Sequence, residues 1–141
     1  MRLMMHRSLC FMILCFYTVL SFAAPVYYDA RPFLEGQAFD NCPPYGRLPE
    51  HLEESVRPQV WYLGNNSAGL ATRFITDAEE IHVRWELMND FHMVHMAGTG
   101  IRGLDLYVRE GNDWSFVAVG KPYEKKNEAR LISNMSREVR E

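Results

Sequence analysis

The feature that most limits the possible folds of this chain is a series of short segments in which apolar and polar residues alternate. In the clearest, residues 81–87 (IHVRWEL), every odd-numbered residue is apolar and every even-numbered residue is polar. A period of two places alternate side chains on opposite faces of a β-strand. The same pattern predicts strands over residues 104–109 and 114–119, joined through the turn-forming residues 110–113 as a β-hairpin.

Weaker versions of the pattern predict three more strands, at residues 59–63, 70–76 and 129–133. The preceding region, residues 25–58, is rich in proline, and the residue before each proline favours an extended conformation. It is predicted to form an extended arm, with one short strand near residues 26–28 and one helical turn within residues 50–55. Short strands at this spacing, without a long amphipathic helix, predict an all-β fold of the antiparallel β-sandwich or jelly-roll type.

The last eight residues, 134–141 (NMSREVRE), begin to alternate and then stop. A sandwich that ended on half a strand would leave an unpaired sheet edge, which proteins usually cover. We therefore expect the domain to be truncated at its C-terminus and the chain to be a fragment of a longer gene product.

The N-terminus has the order of a secretory signal peptide. Arg2, His6 and Arg7 precede an apolar run over residues 8–22, and Ala23 offers a small residue for cleavage. The alternative is a membrane anchor, but the run of about 15 residues is shorter than the ~20 that span a bilayer. We predict a signal peptide over residues 1–23, no stable membrane span, and one secreted or periplasmic domain over residues 24–141.

Charge and cysteine content reduce the number of possible functions further. Loss of Arg2 and Arg7 lowers the Lys and Arg count from 15 to 13 against 18 acidic residues, so the net charge moves from −3 to −5. Nucleic-acid binding depends on clustered Lys and Arg, so it is not expected. With Cys10 and Cys15 removed, Cys42 cannot form an internal disulfide. We interpret it as a small apolar residue, since no neighbour supplies the base that a catalytic thiol needs.

The most unusual local composition lies in residues 88–100 (MNDFHMVHMAGTG), between two predicted strands. The candidate ligand or domain-facing residues of this loop are Asp90, His92, His95 and Met96. A His-x-x-His pair could bind zinc, with Asp90 or His82 as a further ligand, but no third ligand is compelling and no metal is predicted. The preferred interpretation is a loop that folds its Met and Phe side chains under itself. A third possibility is a contact surface for a partner domain.

No complete catalytic set is present. The sequence has neither a Gly-x-Ser-x-Gly elbow nor a Gly-Asp-Ser block, and no phosphate-binding glycine loop, so no catalytic residue and no cofactor is predicted. Aromatic residues could instead stack on a sugar. The candidates are Trp61, Tyr62, Trp85, Tyr107 and Trp114. Trp85 is expected in the core, and in a strand only one of Trp61 and Tyr62 can be exposed.

Four sequence blocks occur together and in order. They are Pro44-Tyr45-Gly46-Arg47-Leu48-Pro49, Val60-Trp61-Tyr62-Leu63 leading to Ser67-Ala68-Gly69-Leu70, His95-Met96 before Thr99-Gly100, and Gly103-Leu104-Asp105-Leu106-Tyr107. Together they resemble the N-terminal domain of SGNH-hydrolase-type esterases, which is named for its GxDLY motif. The likeness covers nearly the whole mature chain.

The resemblance implies a β-sandwich that precedes an SGNH catalytic domain carrying the Gly-Asp-Ser nucleophile block and the Asp/His pair. The motif residues are Gly103, Asp105, Leu106 and Tyr107. Gly103 is expected to adopt a backbone conformation closed to other residues. Asp105 is expected to accept hydrogen bonds from the backbone of residues 88–100, which we call the Met/His loop, and Tyr107 to pack over that loop. Leu104, Leu106 and Val108 should share one face of the strand.

Three functional hypotheses follow. The leading one is a secreted, noncatalytic accessory domain that positions or completes the active site of an SGNH esterase acting on acyl or acetyl esters of carbohydrate. Its partner is the SGNH catalytic domain, toward which residues 92–100 are expected to turn, and the chain alone is expected to be inactive. The alternative is a stand-alone carbohydrate-binding module that uses exposed aromatic residues such as Tyr62. A third is a small metalloenzyme built on His92 and His95.

Overall fold

The computed structural model describes residues 24–89 and 92–141. The predicted signal peptide, residues 1–23, lies outside these ranges, as does Asp90. The helices are α1 (Pro58–Gly64) and α2 (Gly98–Arg102), with short 3-10 turns at Arg31–Phe33 and Glu50–Leu52. The strands are β1 (Leu34–Glu35), β2 (Ala71–Thr72), β3 (Ile81–Glu86), β4 (Leu104–Glu110), β5 (Asp113–Gly120) and β6 (Lys126–Ile132).

All strand pairs in the described residues are antiparallel. β1 pairs with β2, β3 with β6, and β4 with β5. β5 also lies beside β6, so the two long ribbons are neighbours. The predicted antiparallel all-β class is confirmed.

The β4–β5 hairpin forms as its sequence predicts. Gly111, the first residue of its two-residue turn, has φ of +65°, as in a type II′ turn. Between the pairs Leu106–Ala118 and Tyr107–Phe116 the register shifts, which leaves Val117 as an extra residue in β5. This β-bulge changes which residues of β5 face outward, because paired residues lie on the same face of a ribbon.

Two predicted strands are wrong. Residues 59–63 belong to helix α1, which begins at Pro58, a residue suited to the first turn of a helix. Residues 26–28 form no strand, and of residues 70–76 only Ala71–Thr72 pair as a strand. The predicted strand at residues 129–133 begins earlier, at Lys126.

The C-terminal end of α1 is held by Arg47. Its backbone N–H donates to Gly64 O (2.9 Å), and its guanidinium donates to Leu63 O (2.9 Å) and Asn66 O (2.8 Å). These bonds satisfy carbonyls that a helix end otherwise leaves without partners. Leu48 packs so closely that a Cβ on Gly64 would lie 2.7 Å from Leu48 Cγ. The proline-rich arm and α1 are therefore one packed unit.

Trp85 joins the two long ribbons. Its indole Nε1 donates to Arg102 O at 3.0 Å, just before β4, and its ring lies against Gly120 at the end of β5. Asn127, which lies opposite Trp85 on β6, accepts hydrogen bonds from the N–H of Tyr123 (2.7 Å) and of Glu124 (3.1 Å). Trp85 is half-buried at this junction, and Asn127, at 8% exposure, is buried.

Residues 140 and 141 lie between two other segments of the chain. The backbone of Arg140 exchanges two hydrogen bonds with Thr76 (2.8 and 2.9 Å), and Glu141 O accepts from the Arg109 N–H of β4 (3.0 Å). The Glu141 carboxylate also reaches Arg109 (2.7 Å) and Arg73 (3.6 Å). Arg140 and Glu141 thus contact both the segment at Thr76 and strand β4.

The arm is also attached to the β3–β6 ribbon. The Tyr27 hydroxyl donates to Glu128 (2.7 Å), whose carboxylate also accepts from Arg84 (2.9 Å), and the Arg84 guanidinium lies 3.7 Å from the centre of the Tyr27 ring. The Arg84 guanidinium, and then the Tyr27 hydroxyl, hold the pKa of Glu128 below its ordinary value near 4.5. We call these three residues the Tyr27 clamp.

The Tyr27 clamp should weaken in acid. Because the folded-state pKa of Glu128 is depressed, its stabilising effect is present above the unfolded-state value and is lost as pH falls through the folded value. We expect Glu128→Gln to lower the urea midpoint at about pH 7 and to leave less dependence on pH between about 5 and 3.

Glu86→Gln is the matched control. Glu86 lies on the same ribbon with similar exposure, but its lysine partners are farther away, at 3.7 and 3.9 Å. We expect it to change the urea midpoint less than Glu128→Gln. Equal effects at every pH would contradict a specific role for the Tyr27 clamp.

Candidate functional site

The GxDLY segment begins β4 directly after α2. Gly103 donates its N–H to Thr99 O (2.8 Å) and has φ −81° and ψ 176°, an extended conformation open to any residue. The expectation of a special backbone conformation is therefore wrong. Glycine is needed for space, because an added Cβ would lie 2.9 Å from Gly120 O and nearer still to Thr99 O.

The two faces of β4 follow the predicted alternation. Leu104, Leu106 and Val108 are half-buried, whereas Asp105, Tyr107 and Arg109 are exposed. Within the described residues, no hydrogen bond joins the Asp105 carboxylate to the Met/His loop. The Tyr107 ring meets Phe116 of β5 edge-to-face, with ring centres 5.8 Å apart.

The Met/His loop presents apolar side chains to solvent. Met93 and Met96 are exposed (40% and 46%), Val94 is fully exposed, and His92 and His95 also face outward. The interpretation in which this loop folds its Met residues under itself is therefore wrong. The predicted role of these residues as a domain-facing loop remains a prediction.

The described ranges contain no group of three or more His, Cys, Asp or Glu side chains close enough to share a metal ion. Of the further ligands considered, Asp90 lies outside these ranges. His82 directs Nε2 at Glu80 (2.9 Å), and Arg130 reaches the same carboxylate at 3.5 Å.

Sequence reasoning missed Phe116, the most exposed ring of the hairpin at 58%. It pairs with Tyr107, and the next pair on the same face of the ribbon is Arg109 with Trp114, so all four side chains share that face. Tyr107 and Trp114 are 47% and 45% exposed, and Arg73 lies 5.4 Å from the Trp114 ring. We call Tyr107, Trp114 and Phe116 the aromatic face. The alternation of Trp114 and Phe116 in sequence was a signal that could have revealed it.

Beside these residues lies a shallow groove of about 350 Å³, lined by Phe33, Phe74, Ile75, Arg73 and Glu141 among others. Phe33, Phe74 and Ile75 are exposed. More generally, no apolar side chain in the described ranges is fully buried. The domain therefore presents much apolar surface outward, which is typical of a chain that contacts a partner. Among these same residues, no helix is long and apolar enough to cross a membrane.

The family model GxDLY, the N-terminus of SGNH-hydrolase-type esterases, matches residues 25–141. The chain belongs to this family. The match takes in the Arg47 segment, α1, the Met/His loop and β4, so the GxDLY domain extends well beyond the five residues of its motif.

One solved structure similar to this GxDLY domain is of a protein described as a GDSL-like lipase from Bacteroides ovatus. The two are 30% identical, with a TM-score of 0.72 over 76% of this chain and 32% of that chain. The GxDLY domain thus spans about a third of the length of that protein. No curated protein matches the chain.

Gly103→Ala should destabilise the GxDLY domain, because main-chain oxygens on two sides leave no room for Cβ. We expect a loss of about 1–3 kcal/mol in the free energy of unfolding, the usual effect of overpacking. Gly98→Ala is the control: it lies in the same segment, in α2, and its Cβ would have only the Arg102 side chain near it, at 3.8 Å. Equal urea midpoints for the two variants would contradict the steric explanation.

Proposed function

We propose that this GxDLY domain is the noncatalytic accessory domain of a secreted SGNH-type esterase that hydrolyses acyl or acetyl esters of carbohydrate. The observation that carries the proposal is the family match over residues 25–141, which covers the N-terminus of such esterases. The likeness to about a third of a GDSL-like lipase supports it, because that chain has further sequence in which a catalytic domain can lie.

The residues available favour a supporting role over a chemical one. Ester hydrolysis by a serine enzyme needs a nucleophile, a base and an orienting acid. The sequence has no Gly-Asp-Ser block, so the nucleophile is proposed to come from the SGNH catalytic domain. The GxDLY domain would then hold that domain in place and shape the approach to its active site.

The Met/His loop is proposed to face the catalytic domain. Its exposed Met93 and Met96 offer flexible apolar side chains that adapt to a partner surface, and Val94 adds a further exposed apolar side chain. The helix that follows, α2, ends on Gly103, which is pressed against Gly120. The loop is thus anchored at one end where Gly103 lies close to the main chain of β5.

The proposed secretion depends on residues 1–23. The order of basic residues, apolar run and small residues supports export and cleavage after Ala23. We expect the protein recovered outside the cytoplasm to have a mass that begins at Ala24. A product that keeps Met1 and stays in the membrane fraction would favour an anchor instead.

The chain alone should be inactive as an esterase. We expect the purified protein to hydrolyse p-nitrophenyl acetate no faster than buffer, because it lacks the nucleophile. The control is the same protein preparation treated with a serine-directed phosphonate, which should leave the rate unchanged. Turnover that the phosphonate abolishes would contradict the accessory role.

Binding of carbohydrate by the chain itself is the second candidate, and the exposure of Tyr62 favours it. Tyr62 is 43% exposed on α1, whereas Trp61 is half-buried. Retention on an insoluble polysaccharide that disappears in Tyr62→Ala and persists in Tyr28→Ala would establish this module. Tyr28 serves as the control because it is also exposed, at 85%, in the arm.

A further inference from the structure

One edge of β4 has main-chain groups without strand partners in the described residues. In a strand, the N–H and C=O of one residue point to the same side, and successive residues alternate. The Arg109 N–H points away from β5, to Glu141 O. Asp105 and Tyr107 therefore point their main-chain groups to the same edge. Within residues 24–89 and 92–141, these groups make no backbone hydrogen bond there.

The aromatic face adjoins this edge. Tyr107 belongs to both, and Phe116 and Trp114 lie directly across from Tyr107 and Arg109 on β5. Exposed Trp and Tyr beside Arg is the composition of residues that contribute most to protein interfaces. An open strand edge next to exposed rings is a template for a further strand.

We propose that the β4 edge and the aromatic face bind an extended strand of the SGNH catalytic polypeptide by β-strand addition. The inference rests on the proposed function, which supplies the partner. Main-chain groups at Asp105 and Tyr107 would form the hydrogen bonds, and apolar side chains on one side of the incoming strand would cover the rings.

Three observations favour a polypeptide over other ligands. The Arg109 N–H already donates a hydrogen bond to Glu141 O, so the Arg109 end of this edge accommodates another chain segment. The Tyr107 and Phe116 rings stand nearly perpendicular, at 76°, and so do not form the flat platform on which a sugar would stack. Finally, Arg73 and Arg109 are paired with Glu35 and Glu141, which leaves little charge to attract an anion.

The test uses the full chain carrying an affinity tag. It is produced together with the part of the Bacteroides ovatus GDSL-like lipase that this chain does not match. We expect the two polypeptides to be retained together. Trp114→Ser and Phe116→Ser should each reduce retention at least about tenfold, as loss of an interface anchor does. Tyr123→Ser, which alters an exposed ring outside the aromatic face (83% exposed), should retain the partner like the unaltered chain.

Amide hydrogen exchange tests the main-chain part of the inference. In the retained pair, the Tyr107 amide should exchange at least about tenfold more slowly than in the chain alone, whereas the amide of Asn112 in the hairpin turn should not change. The measurement does not depend on any substitution, so it stands even if a variant misfolds.

The outcomes separate the inference from the proposed function. No retention of the unaltered pair, retention unaffected by Trp114→Ser and Phe116→Ser, or unchanged exchange at Tyr107 would overturn the inference. Loss of polysaccharide binding in those variants with retention intact would assign the aromatic face to carbohydrate and overturn it too. The proposed function fails on a different result, esterase turnover by the chain alone.

Discussion

The contact between Trp85 and Gly120 is the constraint on which the arrangement of the two long ribbons depends. The ring needs a position without a side chain, and Gly120 provides it at the end of β5. The indole N–H then fixes the segment before β4 through Arg102 O. One side chain of β3 therefore sets the position of both strands of the hairpin. Asn127, opposite Trp85, closes the connection from β5 to β6 by accepting two backbone N–H groups.

Polar contacts hold other parts of the chain in place. Arg47 ties the arm to the end of α1, and the Tyr27 clamp ties the start of the arm to the β3–β6 ribbon. Because no apolar side chain of the described residues is fully buried, such contacts carry more of the specificity here than in a domain with a closed core. An exposed apolar surface is also typical of a domain that binds a larger partner.

Where alternation is strong, the sequence was a sufficient guide: residues 81–86 and the hairpin of β4 and β5 form as predicted, and the faces of β4 are correct. It failed at residues 59–63, because a continuous apolar run suits a helix as well as a strand. Pro58 was a visible helix signal, but the capping by Arg47 is a tertiary contact that the sequence does not display. Gly103 was correctly identified as a position that needs glycine, but the reason is the closeness of neighbouring main-chain atoms and not its φ.

Because of the bulge at Val117, β5 places its rings on the outer face and Gly120 on the inner face, which a regular strand of this sequence could not do. Before it, Trp114 and Phe116 face outward with Tyr107; after it, the parity changes, so that Gly120 turns inward against Trp85. In a strand one residue shorter, either the rings would point inward or Gly120 would leave its place beneath the indole. β5 should therefore tolerate substitutions better than insertions or deletions. A deletion of one residue in β5 would change the packing at both ends of the strand, whereas many substitutions would change it only at the substituted position.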